Sequence, residues 1–233
     1  MQKDIKPELS TPVEKPISSS QRALVELRSK IFAGELAAGS DHLESELATQ
    51  LNMSRTPVRE AVLTLESQGL LELRPRKGVR IVPLSADDMA EIYEVLTELE
   101  SLAAERAALA AYDDAELQEL AQAIDDMDVA IARDDLDAWA EADDRFHTEL
   151  VRLGGNSRVI SIVHMMSDQV RRARTTTLFM RPLPTKSNED HRKVLQAIKR
   201  GDGDCARITH RSHRREAKKI IVELLQKHRL RFL

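Results

Sequence analysis

The stretch NMSRTPVREAV, residues 52–62, reads as the start of a short amphipathic helix with an unusual N-terminus. Ser54 and Thr56 each offer a hydroxyl that can accept from an unpaired N–H of the first turn, and Pro57 falls in that turn, where its missing N–H costs nothing. Val58, Val62 and Leu65 recur at four and three residues and give the helix an apolar back, while Arg55 and Arg59 stand one turn apart on another face. Two cations at the positive end of a helix dipole work against the local field, an arrangement that suits contact with a polyanion.

Reading outward, Leu24, Leu27 and Ile31 predict a helix from Gln21 to a turn at GELAAGS (34–40), and Leu43, Leu47 and Leu51 predict a second, short helix over HLESELATQLN (42–52). After Gly69, LLEL (70–73) and VRIV (79–82) read as two strands joined by the basic tip RPRKG (74–78). Helix, helix, turn, helix, hairpin is the order of a winged helix-turn-helix, whose last helix enters the DNA major groove. In that setting Arg55 and Arg59 can donate bidentate pairs to guanine edges, with Ser54 and Thr56 on phosphates. Gly78, with no side chain, lets the hairpin backbone approach DNA beside Arg76 and Lys77.

The chain is long enough for two domains, with 42% hydrophobic residues in 233 and only 3% aromatics, a composition that favours helix over sheet. One cysteine, Cys205, excludes an internal disulfide, and no apolar run reaches the roughly 18 residues a membrane span needs. The first residues lack the apolar core of a secretory signal, so a cytoplasmic protein is expected. The net charge of −4 does not exclude nucleic acid, because charge acts locally within a Debye length of about 10 Å. An acidic run over 113–144, in which Arg133 is the sole cation, offsets the basic 74–80 segment. Three prolines and few large apolar residues mark 1–19 as a disordered arm. The DNA-binding part is expected over 20–83, and an all-α bundle of about six helices over 84–233. Its first helix starts at a Ser85 cap and carries Met89, Ile92, Leu96, Leu99 and Leu102; others are expected near 114–132, 136–153, 157–178, 187–200 and 204–230.

Within that bundle Asp143 and His147 lie four apart on one helical face, and His191 and His213 stand on two later helices. Imidazole with carboxylate suits first-row transition metals, and bundle interiors are where such sites are built. Asp144 competes with Asp143 for the carboxylate position and His210 with His213, while His164 and His228 read as ordinary histidines.

The segment GELAAGSDHLESELATQLNMSRTPVREAVLTLESQGLLELRPRKGVRIV (34–82) resembles the GntR family of bacterial transcription regulators. The resemblance implies operator contacts by Arg55, Arg59 and Gly78, supported by Ser54, Thr56 and Lys77. The helical remainder looks like the FadR-type branch and its FCD domain, in the shorter six-helix variant of vanillate-type regulators. That likeness implies Asp143, His147, His191 and His213 as ligands of a divalent metal (zinc first, then nickel or manganese) that anchors a small organic-acid effector. Leu96 stands where many relatives have an arginine that clamps the effector carboxylate; Arg171 and Arg174 are candidates to supply the missing cation, with His210 a further effector contact. The implied protein is a homodimeric, ligand-responsive regulator, a repressor in most relatives, bound to a palindromic double-stranded operator, with no membrane partner and no catalysis. Two alternatives are a bundle that only dimerises and a metal-dependent hydrolase.

Overall fold

In a computed structural model of the chain, residues 17–228 are described. The arm expected over 1–19 lies outside them as far as residue 16, as does the expected end of the last helix beyond 228. Helix α1 (Ser19–Phe32) is capped by Ser18, whose Oγ accepts from the Gln21 N–H at 3.1 Å. After β1 (Asp41–His42) come α2 (Glu44–Gln50) and α3 (Arg55–Ser67). The reversal between these two helices uses Asn52 at φ +51°, a left-handed position that asparagine tolerates better than most residues. Strands β2 (Leu71–Arg74) and β3 (Gly78–Ile81) form the expected hairpin, and β1 adds to its other side in the order β1-β3-β2, all antiparallel. The third strand was not foreseen, because two residues carry no periodicity.

Val58, Val62 and Leu65 lie fully inside, packed with Leu27, Leu47, Val79 and Ile81. Leu43 differs from expectation: it is the N-cap residue of α2, 47% exposed, and only Leu47 and Leu51 of the proposed triplet are buried.

The remainder is helical: α4 (Ala86–Leu109), α5 (Gln118–Ala132), α6 (Leu136–Leu153), α7 (Ser157–Thr177), a 3-10 turn (Leu178–Met180), α8 (Thr185–Lys199) and α9 (Gly203–His228). Ser85 caps α4 by accepting from the Asp88 N–H. Helix α5 starts later than 114 because Asp113 and Glu116 exchange side-chain-to-backbone hydrogen bonds of 2.9 Å each and hold a separate turn. The pairs Glu94–Lys218, Glu98–Arg211 and Glu105–Arg207 run in opposite order along α4 and α9, so these two long helices lie antiparallel at the bundle's centre. One apolar cluster gathers around Trp139, Phe146, Leu150 and Val194; a second joins Tyr93, Leu96, Val170 and Ile221.

Helix α7 also meets the winged part. Arg28 of α1 pairs with Asp168 at 2.9 Å, Arg172 donates to the Val82 carbonyl at 2.5 Å, and the Arg171 guanidinium lies 5.6 Å from the centroid of the Phe32 ring.

Candidate nucleic-acid interface and buried histidine centre

At the head of α3, Ser54 occupies the N-cap position but its hydroxyl makes no capping bond; Thr56 is the second helical residue, and both are exposed. Both hydroxyls therefore face outward with Arg55 and Arg59, which are exposed as well. Arg59 is not idle: its Nη1 donates to Glu44 Oε1 at 2.9 Å and Oε2 at 3.2 Å, so a carboxylate from α2 holds this cation. Arg76 and Lys77 are exposed at the hairpin tip, with Arg76 at φ +65°.

Gly78 has a reason the sequence did not show. It sits at φ +88°, and a Cβ there would lie 2.3 Å from the His42 carbonyl oxygen. Its smallness lets β1 close on β3, whether or not DNA is near.

The expected metal-ligating residues meet in the bundle. The apolar stripe Trp139, Ala142, Phe146 and Leu150 seats α6 and brings Asp143 and His147 inward with it. Helix α8 is fixed by Asn188, whose Oδ1 accepts from Trp139 Nε1 and whose Nδ2 donates to Asp128, both at 2.9 Å; His191 follows one turn later. Asp143 Oδ1 lies 3.7 Å from His147 Nε2 and 3.6 Å from His191 Nε2, and His191 Nε2 lies 3.1 Å from His213 Nε2. Tetrahedral ligands bound at about 2.0–2.1 Å stand about 3.3–3.4 Å apart, so these separations bracket the edges of a metal's coordination shell. His147, His191 and His213 are all buried, and their donor atoms lie within 4.8 Å of one another.

The electrostatics suit a cation. Burial pushes His191 and His213 well below the ordinary histidine range, so each imidazole is neutral and keeps a lone pair. Burial would raise the Asp143 carboxyl, but the Arg174 guanidinium outweighs it and holds the group below the usual carboxylate range. The donor set and its protonation thus fit a divalent transition metal.

The candidates the sequence left open occupy different places. Asp143 presents Oδ1 to the histidines, while its Oδ2 accepts from Arg174; Asp144 faces α7, paired with Arg174 and with Arg171 Nε at 2.9 Å. Arg174, a candidate effector clamp, is buried and already engaged by both aspartates, so it braces Asp143 against the histidines. Arg171 is more open, its side chain 46% exposed at the edge of the site. His213 joins His147 and His191, whereas His210 turns to Ser101 Oγ at 3.3 Å and Glu100 Oε2 at 3.5 Å. Burial also pushes His210 well below the histidine range. Leu96 lies beside His147, Arg174 and Arg214 in the lining of a small cavity at this centre.

Two residues escaped the sequence reading. Glu100 of α4 and Arg214 of α9 are each 2% exposed and pair at 3.2 Å. Burial alone would raise the Glu100 carboxyl, yet the Arg214 guanidinium outweighs it and holds the group below the usual range. The available signal was a carboxylate one turn after Leu96 on a face otherwise built of buried residues.

Residues 19–81 match the family described as bacterial regulatory proteins, gntR family, and residues 91–216 match the FCD domain. The chain belongs to the GntR family. This GntR regulator is 34% identical over 196 residues to an uncharacterized HTH-type transcriptional regulator in an unstable DNA locus of Streptomyces ambofaciens, covering 82% of this chain and 80% of the relative. It is 29% identical to the gluconate operon transcriptional repressor of Bacillus licheniformis, over 80% of this chain and 78% of that protein. Its fold superposes on E. coli McbR/YncC with a TM-score of 0.74 at 21% identity, covering 89% of this chain and 99% of that one. The family consists of DNA-binding transcriptional regulators and not enzymes, which removes the hydrolase alternative. No helix among the described residues is long and apolar enough to cross a membrane.

Proposed function

We propose that this regulator is a cytoplasmic repressor that binds a palindromic operator as a homodimer and releases it in response to a metal-anchored organic acid. Residues 20–83 are the DNA-binding part and 84–233 the effector-binding and dimerisation part. In this reading Arg55 and Arg59 read base edges, Ser54, Thr56 and Lys77 hold the backbone, and Gly78 keeps the wing in place. The direction of regulation is taken from relatives named as repressors.

The observation that carries the sensor reading is the meeting of Asp143, His147, His191 and His213 from three helices at 3.1–3.7 Å. A bound divalent ion, zinc by the donor chemistry, would supply a Lewis-acid anchor for a carboxylate in a low-dielectric interior. Arg171, at the open edge of the site, and His210, behind His147, are the candidates to hold the rest of the acid. The gluconate operon relative makes sugar acids the first class to try.

A physical route to the DNA-binding part supports the same reading. On α7, Arg174 and Arg171 hold Asp143 and Asp144, while Asp168 and Arg171 meet Arg28 and Phe32 of α1. An acid that moves this helix by binding one arrangement better than another changes operator affinity by that difference and no more.

The test is elemental mass spectrometry of the purified protein, then a thermal-shift screen of gluconate and other organic acids with and without chelator. Stoichiometric metal, with an acid that stabilises only the metallated protein and weakens operator binding, is the expected result. A protein that takes up no metal and still responds to acids would overturn the metal anchor.

A further inference from the structure

Glu100 lies on the side of His147 opposite Asp143. Its Oε2 is 3.0 Å from His147 Nδ1, while His147 Nε2 is the nitrogen that faces Asp143. A neutral imidazole has one N–H and one lone pair, so whichever group takes the N–H decides which nitrogen can ligate. His147 Nδ1 and Glu100 Oε2 are both sealed from solvent and face each other at 3.0 Å, and neither makes a hydrogen bond of good geometry to any group, this contact included. Each is the other's nearest polar company, with His210 Nε2 next at 3.5 Å from the carboxylate.

The carboxylate is itself held. Arg214 Nη2 lies 3.2 Å from Glu100 Oε1, and the guanidinium sits 4.6 Å from the Tyr93 ring centroid. His210 is placed in turn by Ser101. A buried ion pair is a weak source of stability, because desolvation offsets most of the attraction. What a fixed carboxylate beside an imidazole does supply is direction: it selects the tautomer, fixes the ring and makes the far nitrogen a better donor.

We propose that Glu100, held in place by Arg214, is the positioning residue of the histidine centre, accepting the His147 Nδ1–H so that Nε2 is presented to the metal. The inference rests on the metal reading above. A second arrangement is the competitor: Glu100, His147 and His210 place donor atoms within 4.8 Å of one another and can be drawn as a separate cation seat. The Arg214 charge, 3.2 Å from the same carboxylate, opposes a second cation there, and ligation through Nδ1 would remove the proton that directs Nε2.

The experiment uses the full chain loaded with zinc. Long-range nitrogen–proton NMR correlations of the histidine rings should show His147 protonated at Nδ1 and metal-bound at Nε2; metal at Nδ1 overturns the proposal. Chelator competition should give a zinc affinity about 10-fold weaker for Glu100→Gln, within the roughly 10–100-fold range typical of such outer partners. Because Glu100→Gln leaves Arg214 without its counter-ion, the double variant Glu100→Gln/Arg214→Met removes both charges together. The same weakening is expected there, and parent-like affinity in the folded double variant overturns the role. His210→Ala should leave a stoichiometry of one zinc per chain; two zinc ions in the parent, falling to one in His210→Ala, would establish the second seat instead. A parent that binds no zinc at all sinks the metal reading and this inference together, whereas loss confined to neither variant in a zinc-binding parent sinks the inference alone.

Discussion

Arg174 bridges two consecutive carboxylates, donating through Nη1 to Asp143 and through Nη2 to Asp144, and so ties α7 to the one aspartate that faces the histidines. Asp143 Oδ1 is left to the centre while Oδ2 is anchored. Removing the guanidinium leaves a buried carboxylate without its counter-ion, which typically costs about 3–5 kcal/mol. Arg174→Met should therefore lower the chemical-denaturation midpoint strongly; a midpoint equal to the parent's would show that the bridge contributes nothing.

At the head of α3, Arg55→Ala and Arg59→Ala should each weaken operator binding by roughly 1–3 kcal/mol and relax base preference at one position per half-site. Competition binding against operators substituted base by base is the check. Unchanged affinity and selectivity in both variants would take these side chains off the base edges.

Gly78→Ala places a Cβ into the His42 carbonyl at a left-handed backbone position. Strain of this sort costs on the order of 1–3 kcal/mol, so the variant should melt earlier than the parent with no DNA present. A wild-type melting curve combined with weakened operator binding would return Gly78 to a purely DNA-facing role.

Asp168→Asn removes the charge that holds Arg28 across the junction of α7 and α1. Amide hydrogen exchange should quicken around Val82, where Arg172 of the same helix also makes contact, and stay unchanged at the buried core of α5 and α6. Equal exchange at both places would mean that this pair does not tie the two parts together.

The sequence carried the helices because their apolar spacing is periodic: Val58, Val62 and Leu65 are buried as their intervals require, and α6 begins and ends at the expected residues 136 and 153. It did not carry β1, whose partner is chosen by tertiary pairing and whose two residues have no pattern. Leu43 fits a helical stripe on paper but precedes the first turn of α2, so it points out. Asp143 and Asp144 are indistinguishable by type, and only the position of α7 separates their tasks. Glu100 and Arg214 were passed over because one charged residue on an apolar face looks like an interruption until its partner from another helix is placed beside it.

The small sheet has a further consequence wherever copies of the chain are crowded together. Unpaired strand edges invite another chain to add on. Here one outer strand is only two residues long, and on the other the outward N–H of Leu73 is taken by the Glu66 carboxylate at 2.9 Å. A two-residue rim on one side and an occupied Leu73 amide on the other shorten the ladder that a second chain could add to, so both edges disfavour strand-to-strand association.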